Sequence, residues 1–227
     1  MPAPVSVIIP TLNAAEDLKL CLAALMPGLV EGLVREVIIS DGGSNDATAA
    51  IAEAAGAKLI CCNPGRGRQL MAGAAEARGE WLMFLHADTV LSRDWAERAG
   101  AHIAEQPGRA AVFELVFRSD AASAKWLAAR ANRRARWLGL PYGDQGLLIS
   151  RALYDALGGF EDVPLMEDVG LVRKIGKRRL SILSAEARTS AAKYERDGWR
   201  RRAYRNAWLV MRYMLGASPE KLAKRYD

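Results

Sequence analysis

The chain has 227 residues, 51% of them hydrophobic and 26% charged, with a formal net charge of +6. That length suits one large α/β domain or a domain with a helical annex, and that balance argues against disorder. No apolar run approaches the ~20 residues of a membrane-spanning helix, and no basic n-region precedes the first strand, so neither a span nor a secretory leader is expected.

The first element is the apolar run Val5-Ser6-Val7-Ile8-Ile9, a buried strand that runs into Pro10-Thr11-Leu12-Asn13. Leu18, Leu22, Leu25 and Met26 then recur at helical spacing. A strand over 36–40 leads into Asp41-Gly42-Gly43-Ser44-Asn45-Asp46, with Ser44 placed as the N-cap of an Ala-rich helix over 46–55. A strand over 57–62 closes on Cys61-Cys62, most simply a pair of small apolar fillers. With Cys21 the cysteines number three, show no CxxC spacing, and suit a reducing cytoplasm. Gly65-Arg66-Gly67-Arg68-Gln69 is a loop before an Ala-rich helix over 68–78. A strand over 80–85 ends abruptly in His86-Ala87-Asp88, and a helix over 92–105 follows. This βαβα order predicts an α/β fold with a mostly parallel, doubly wound sheet.

The order then changes. Residues 112–118 alternate like a strand with one wet face. A helix over 123–138 follows, and residues 121–143 carry Lys125, Arg130, Arg133, Arg134 and Arg136 with no acid. After a turn at Leu140-Pro141-Tyr142-Gly143 come a strand at 147–149 and a short helix over 151–157. Asp168 opens another helix, a strand covers 180–185, and 195–225 is an amphipathic helical tail. On that tail Tyr204, Ala207, Trp208, Met211 and Leu215 share one stripe, expected to pack on the domain or on a dimer partner ahead of a membrane. The expected division is one α/β domain over 1–190 and a packed amphipathic helical tail over 191–227. Further basic clusters lie at 173–179 and 193–205. Each alone reads as a solvated helix face; together they fit an anionic substrate or an acidic membrane surface. No recognised nucleic-acid motif is present.

Several loops carry chemistry. Pro10-Thr11-Leu12-Asn13 is, alone, a turn and helix start. In Asp41-Gly42-Gly43-Ser44 the glycines let backbone approach a ligand, and Asp41 would accept from a base imide; a tight turn fits equally well. Arg66 between glycines suits a diphosphate through forked hydrogen bonds, although the loop lacks the Gly-Lys-Ser/Thr ending of a Walker loop. His86 and Asp88, two apart, fall on one side of an extended chain. One carboxylate plus diphosphate oxygens is a usual way to hold Mg²⁺ or Mn²⁺. Glu167 and Asp168 are a general-base candidate and its neighbour, or simply acids favoured by the helix dipole. Asp144 and Gln145, ahead of a strand, shape an acceptor or donor-sugar pocket or form a plain turn.

In this order and spacing, SVIIPTLN (6–13), DGGSND (41–46), GRGRQLMAGAAEARGEWLMFLHADT (65–89) and LMED (165–168) resemble the family-2 glycosyltransferases with a GT-A fold. The resemblance implies nucleotide contacts from Pro10, Thr11, Asn13, Asp41, Gly42, Arg66 and Ala87. It implies a divalent metal on Asp88 with His86 beside it, and Asp168 as catalytic base with Glu167 as its rival. The implied reaction is an inverting, non-processive transfer from a nucleotide-sugar, expected to be a UDP-sugar, to a small acceptor. The implied place is the cytoplasm or the periphery of the inner membrane, with a homodimer as one arrangement. The tail, through Thr189-Ser190-Ala191, Tyr194-Glu195-Arg196, Asn206, Tyr213 and 215–220, is similar to a small bacterial subfamily associated with radical-enzyme gene neighbourhoods and arsenosugar biosynthesis. Two positions depart from the family pattern: His86 stands where the first Asp of D-x-D is expected, and Thr89 where an acid often follows. The Gln-x-x-Arg-Trp motif of polymer synthases is missing. Two alternatives stand beside this reading, a sugar-nucleotide nucleotidyltransferase and a non-catalytic nucleotide-sugar-binding protein.

Overall fold

The structure is a computed structural model that describes residues 3–223; residues 224 and 225, placed above in the helical tail, lie outside the described residues. Four strands run parallel in the first half: β1 (Val5–Thr11), β2 (Val34–Asp41), β3 (Lys58–Cys61) and β4 (Trp81–Phe84). The inner ones are apolar on both faces, as a sheet covered on both sides requires. Val7, Ile9 and Met83 enter one core; Ile8, Ile38 and Leu82 enter the other. The linking helices are α1 (Ala15–Ala24), α2 (Met26–Val30), α3 (Thr48–Ala54) and α4 (Arg66–Glu76). Leu18 and Cys21 of α1 and Ala52 of α3 cover the first face, while Leu70 and Ala74 of α4 cover the second. A Cβ on Gly73 of α4 would collide with Ile8 and Ser40, so this helix lies directly on the sheet.

The second half adds β5 (Val90–Leu91), α5 (Trp95–Glu105), β6 (Ala110–Phe117), α6 (Ala122–Leu138), β7 (Leu147–Ser150), α7 (Arg151–Ala156), α8 (Glu167–Ile175) and β8 (Leu180–Thr189). The sheet is eight-stranded, in the order β3-β2-β1-β4-β7-β6-β8-β5. β7 runs antiparallel to both β4 and β6, β6 and β8 are parallel, and β5 is antiparallel to β8. A parallel doubly wound half is therefore joined to a mixed half.

Local chemistry explains where elements differ from the sequence-based expectations. Ser44 does not cap the helix: α3 starts at Thr48 behind Ala47, and Ser44 is held in the preceding loop by Asp41. α4 begins at Arg66 rather than 68, behind Gly65 at φ 143. Cys61 is exposed at the rim of β3, not a filler of the core. β8 continues to Thr189 because Ala187 and Thr189 point inward between Glu186 and Arg188, an alternation that the charges obscure.

The tail is α9 (Ala192–Asp197), α10 (Trp199–Met214) and α11 (Pro219–Ala223), broken at Gly198 and Gly216, both at positive φ. It packs on the domain, but not through the expected stripe. Leu209 packs with Met166, Val169 and Leu222, while Tyr204, Trp208, Met211 and Leu215 face outward at 75%, 37%, 51% and 78% exposure. The inward side must meet a polar cleft as well as a core, so it carries Arg202 and Asn206 beside Leu209. No helix among the described residues is long and apolar enough to cross a membrane.

Candidate active site

β2, β1 and β4 lie side by side and parallel, so their carboxyl ends open on one edge. In open α/β sheets that edge binds ligands. The register sets Thr11 opposite Asp41. Thr11 Oγ1 and Ser44 Oγ donate to Asp41 Oδ1 at 2.8 and 2.5 Å; the N–H groups of Gly43 and Ser44 donate to Oδ2 at 3.0 and 2.8 Å. Burial pushes the Asp41 carboxyl up, but these hydrogen bonds outweigh it and hold the group below the usual carboxylate range. Asp41 is thus an ionised brace, and a base imide would share or displace one of its present donors. Gln69, which sequence reasoning did not single out, ties the edge together: its Nε2 donates to the carbonyls of Thr11 and Ser40 at 2.7 and 2.8 Å. A Cβ at Gly42 would stand 3.1 Å from that Nε2, so glycine is what lets the loop lie this close. Asn13 completes the crotch, donating its N–H to Ser44 Oγ and accepting from the N–H of Asn45. Pro10, opposite Ser40, shares this wall.

Beside the crotch lies a solvent-open cleft lined by Arg66, His86, Asp88, Asp144, Glu167 and Asp168, among others. Ala87 is buried between the two β4-end groups. Asp88 Oδ1 accepts from Thr189 Oγ1 at 3.4 Å, which ties the β4 end to the β8 end. Asp168 Oδ2 accepts the Gly143 N–H and its Oδ1 accepts the Val169 N–H, each at 2.7 Å. Each oxygen keeps a lone pair for a further proton. Glu167 is 3% exposed, with Arg66 Nη1 at 3.7 Å from its Oε1. Burial pushes its carboxyl up, Asp168 adds to this, and Arg66 opposes it. Burial, and then Arg66, hold the His86 imidazole well below its ordinary range against the pull of Asp168, so it is neutral. The non-glycine residues at clearly positive φ among those described are Asn13 (51°) and Met166 (70°), both at this edge. Strained backbone of that kind gathers at functional sites.

Gly143 is the tight point. A Cβ there would stand 2.7 Å from His86 Nε2 and 3.2 Å from Asp168 Oδ2. Gly143→Ala is expected to force His86 aside and shift Asp168 by a few tenths of an ångström, lowering turnover by up to about 10²-fold. Steady-state kinetics check this, and an unchanged kcat would show that the turn yields without moving the carboxylate.

Asp144 has an Oδ1 that is buried without a hydrogen-bond partner among the described residues. Burial pushes its carboxyl up to about 6; Arg134 opposes this, while Asp168 and Asp88 add to it. A carboxyl raised on folding contributes stability that is full below its unfolded pKa and lost as pH rises through the folded one. Stability should therefore fall between about pH 4 and pH 6. Asp144→Asn is expected to exceed the parent by about 3 kcal/mol near pH 8 and to match it near pH 4. Melting curves that coincide at both pH values would contradict this.

Gln145 does not enter the cleft as expected. It is fully buried, and its Nε2 donates to the Phe113 carbonyl at 3.0 Å and approaches Asn132 Oδ1 at 3.4 Å, tying the turn to β6 and α6. Gly146 at φ 63 sets this inward course, and Asp144 and Tyr142 line the cleft instead. The opposite wall comes from the tail: Lys193, Tyr194, Arg202 and Asn206. Arg202 Nη1 pairs with Asp197 Oδ2 at 2.5 Å, and Asn206 Nδ2 donates to Tyr194 Oη at 3.3 Å. The signal for this wall in the sequence was the Tyr194 and Asn206 resemblance; nothing in the spacing located it over the cleft. Among the described residues, no set of three or more His, Cys, Asp or Glu side chains is arranged to hold a metal ion.

A parallel strand edge with a braced aspartate, an arginine at a helix start and paired carboxylates across a cleft defines a GT-A-type α/β protein. Residues 6–160 match glycosyl transferase family 2, and the chain belongs to that family. A stretch of 95 residues is 33% identical to glucosyl-3-phosphoglycerate synthase of Mycolicibacterium paratuberculosis, covering 38% of this chain and 29% of that protein. The match thus spans less than a third of the curated relative's length. Among solved structures, glucosyl-3-phosphoglycerate synthase from Mycobacterium tuberculosis, in complex with Mn²⁺, UDP and glucosyl-3-phosphoglycerate, superposes with a TM-score of 0.60 at 21% identity over 89% of this chain and 78% of that one. S. aureus TarS 1–349 in complex with UDP-GlcNAc gives a TM-score of 0.63 at 19% identity over 82% and 58%. At these identities the likeness is one of fold.

Proposed function

We propose that the chain transfers one sugar, with inversion, from a nucleotide-sugar to a small anionic acceptor. The observation that carries this is Asp168: its two oxygens are aimed by the N–H groups of Gly143 and Val169 into a cleft that also holds Arg66 and Asp88. Glu167, the rival base, is nearly closed to solvent and sits beside Arg66, which suits it to positioning that arginine. The UDP, UDP-GlcNAc and Mn²⁺ named in the complexes of fold neighbours support a UDP-sugar donor and a divalent ion.

The donor nucleotide would lie on Pro10, Thr11, Asn13, Asp41, Gly42 and Ala87, with Arg66 forking onto the diphosphate. One carboxylate and one neutral imidazole fit an ion that takes most of its ligands from phosphate and water, as Mg²⁺ and Mn²⁺ do. Asp88 would hold it, with His86 beside it, and the ion would supply charge neutralisation for the departing diphosphate. Asp168 takes the proton of the acceptor hydroxyl as that oxygen bonds to the anomeric carbon. The bond from that carbon to the diphosphate oxygen breaks, and the nucleoside diphosphate leaves with the electron pair. Residues 1–190 would form the donor domain, and the tail from 191 the acceptor wall, where Lys193 and Arg202 meet the acceptor's anionic group. The relatives' name, with phosphoglycerate in it, supports that charge. The tail's likeness to an arsenosugar-associated subfamily supports a small acceptor.

The test is the stereochemistry and charge of the product. Proton NMR should show one inverted anomeric centre in the glycoside, and neutral analogues of a working anionic acceptor should lose most of their rate. A retained configuration would remove Asp168 as the base of a single displacement.

A further inference from the structure

Two neighbouring helices turn large apolar and aromatic groups to solvent in the same pattern. On α6, Ala124, Ala128, Ala131 and Ala135 are buried at i, i+4, i+7 and i+11, packed with Leu115 and Phe117 of β6. Two residues on, hence on the opposite side of the helix, Trp126, Arg130, Arg133 and Trp137 repeat the same spacing. Trp126 and Trp137 are 54% and 70% exposed. On α10, which touches α6, Tyr204, Trp208 and Met211, with Leu215 just past its end, repeat that spacing once more and face outward. Tryptophans exposed on the face opposite these buried alanines do nothing for the helix's own packing.

The charge around these stripes selects what covers them. Neither α6 nor α10 contains an acid. Lys125, Arg130 and Arg133 on α6, and Arg200, Arg201 and Arg212 on α10, are exposed and form no ion pair among the described residues. Arg130 and Arg212 instead lie over the rings of Trp126 and Trp208, at 4.8 and 5.6 Å from the centroids. A second copy docked on the same face would set cations against cations. An anionic lipid surface accepts both halves of the pattern: the headgroups meet Arg and Lys, and the indole and thioether groups enter the headgroup–acyl boundary.

We infer that the outward faces of α10 and α6 form a docking surface for anionic lipid bilayers. A surface helix of this kind, low in net hydrophobicity and rich in Arg with Trp on its apolar side, lies in the interface without spanning it. Docking leaves the cleft to the inner side of α10, where Arg202 and Asn206 line it. The inference therefore stands whether or not the cleft transfers a sugar.

The experiment is co-sedimentation of the full chain with vesicles of phosphatidylcholine alone and of phosphatidylcholine with phosphatidylglycerol. Binding to the anionic vesicles only, weakened by added salt, is expected. Arg200→Gln with Arg201→Gln should lower the partition about 25-fold, roughly fivefold per cation near an anionic surface. Trp208→Ser with Met211→Ser on α10, and separately Trp126→Ser with Trp137→Ser on α6, should each lower it by an order of magnitude or more, with unchanged melting and circular dichroism. No sedimentation with anionic vesicles, equal binding to neutral ones, or variants that bind like the parent would overturn the inference. So would self-association of the parent, seen by light scattering, that Trp208→Ser abolishes, because a second copy would then occupy the face.

Discussion

Asp168→Asn is expected to lower sugar transfer by about 10²–10⁴-fold, the usual worth of a positioned base, while UDP affinity stays close to that of the parent. The side chain receives the N–H groups of Gly143 and Val169, one on each oxygen. An amide can keep only one of these acceptors, because its nitrogen would face the other donor. The variant therefore loses both the proton acceptor and part of its own alignment. The nucleotide crotch at Thr11, Asp41 and Gln69 is held by separate hydrogen bonds on β1, β2 and α4, so nucleotide binding should not follow the loss. Rapid-quench turnover with UDP titration separates the two effects. Full turnover by the variant would pass the base to Glu167 or to a water. A parallel loss of UDP affinity would make Asp168 a structural prop.

Asp88→Ala is expected to weaken UDP binding in the presence of Mn²⁺ by at least about tenfold, or ~1.4 kcal/mol, and to leave the metal-free affinity unchanged. Asp88 is the single carboxylate at the end of β4, and its one side-chain hydrogen bond among the described residues, from Thr189 Oγ1, is long at 3.4 Å. Its removal thus costs the fold little, and on the proposed reading it deprives the ion of its main protein ligand. Calorimetric titration with Mn²⁺ and again with a chelator reads the difference directly. His86→Ala should have the smaller effect on that difference, since His86 Nε2 lies at the Gly143 and Asp168 side of the cleft. Equal UDP affinities for Asp88→Ala and parent in Mn²⁺ would move the ion elsewhere or remove it.

Much of the parallel half was legible in the sequence. Buried parallel strands are continuous apolar runs, so β1, β2 and β4 stood out, and the polar turn after each run marked the edge where Thr11, Asp41 and His86 now gather. The α8 start was legible too, because Glu167 and Asp168 follow a turn and precede a helical pattern. What escaped was whatever depends on the third dimension. β5 is two residues long and exists only because β8 passes it. Gln145 and Asp144 look equally suited to a pocket, and only the course of the chain through Gly146 decides which turns inward. Ser44 has the composition of a cap but is drawn away by Asp41, a stronger partner nearby. The tail shows the limit most clearly. Periodicity reveals that Tyr204, Trp208, Met211 and Leu215 share a side, yet it is silent on whether that side meets the core, and here the cleft claims the opposite one.

The central claim is that this edge breaks a nucleotide-sugar at its anomeric bond. The most direct measurement is a screen of UDP-, GDP-, ADP- and TDP-sugars with Mn²⁺ or Mg²⁺, scored by chromatography of the released nucleotide. Release of a nucleoside diphosphate, with UDP-sugars turned over fastest, is the predicted result, and it should occur slowly with water even without an acceptor. Formation of a nucleoside triphosphate and a sugar 1-phosphate when pyrophosphate is added to the donor, or tight UDP binding with no turnover of any donor, would contradict it.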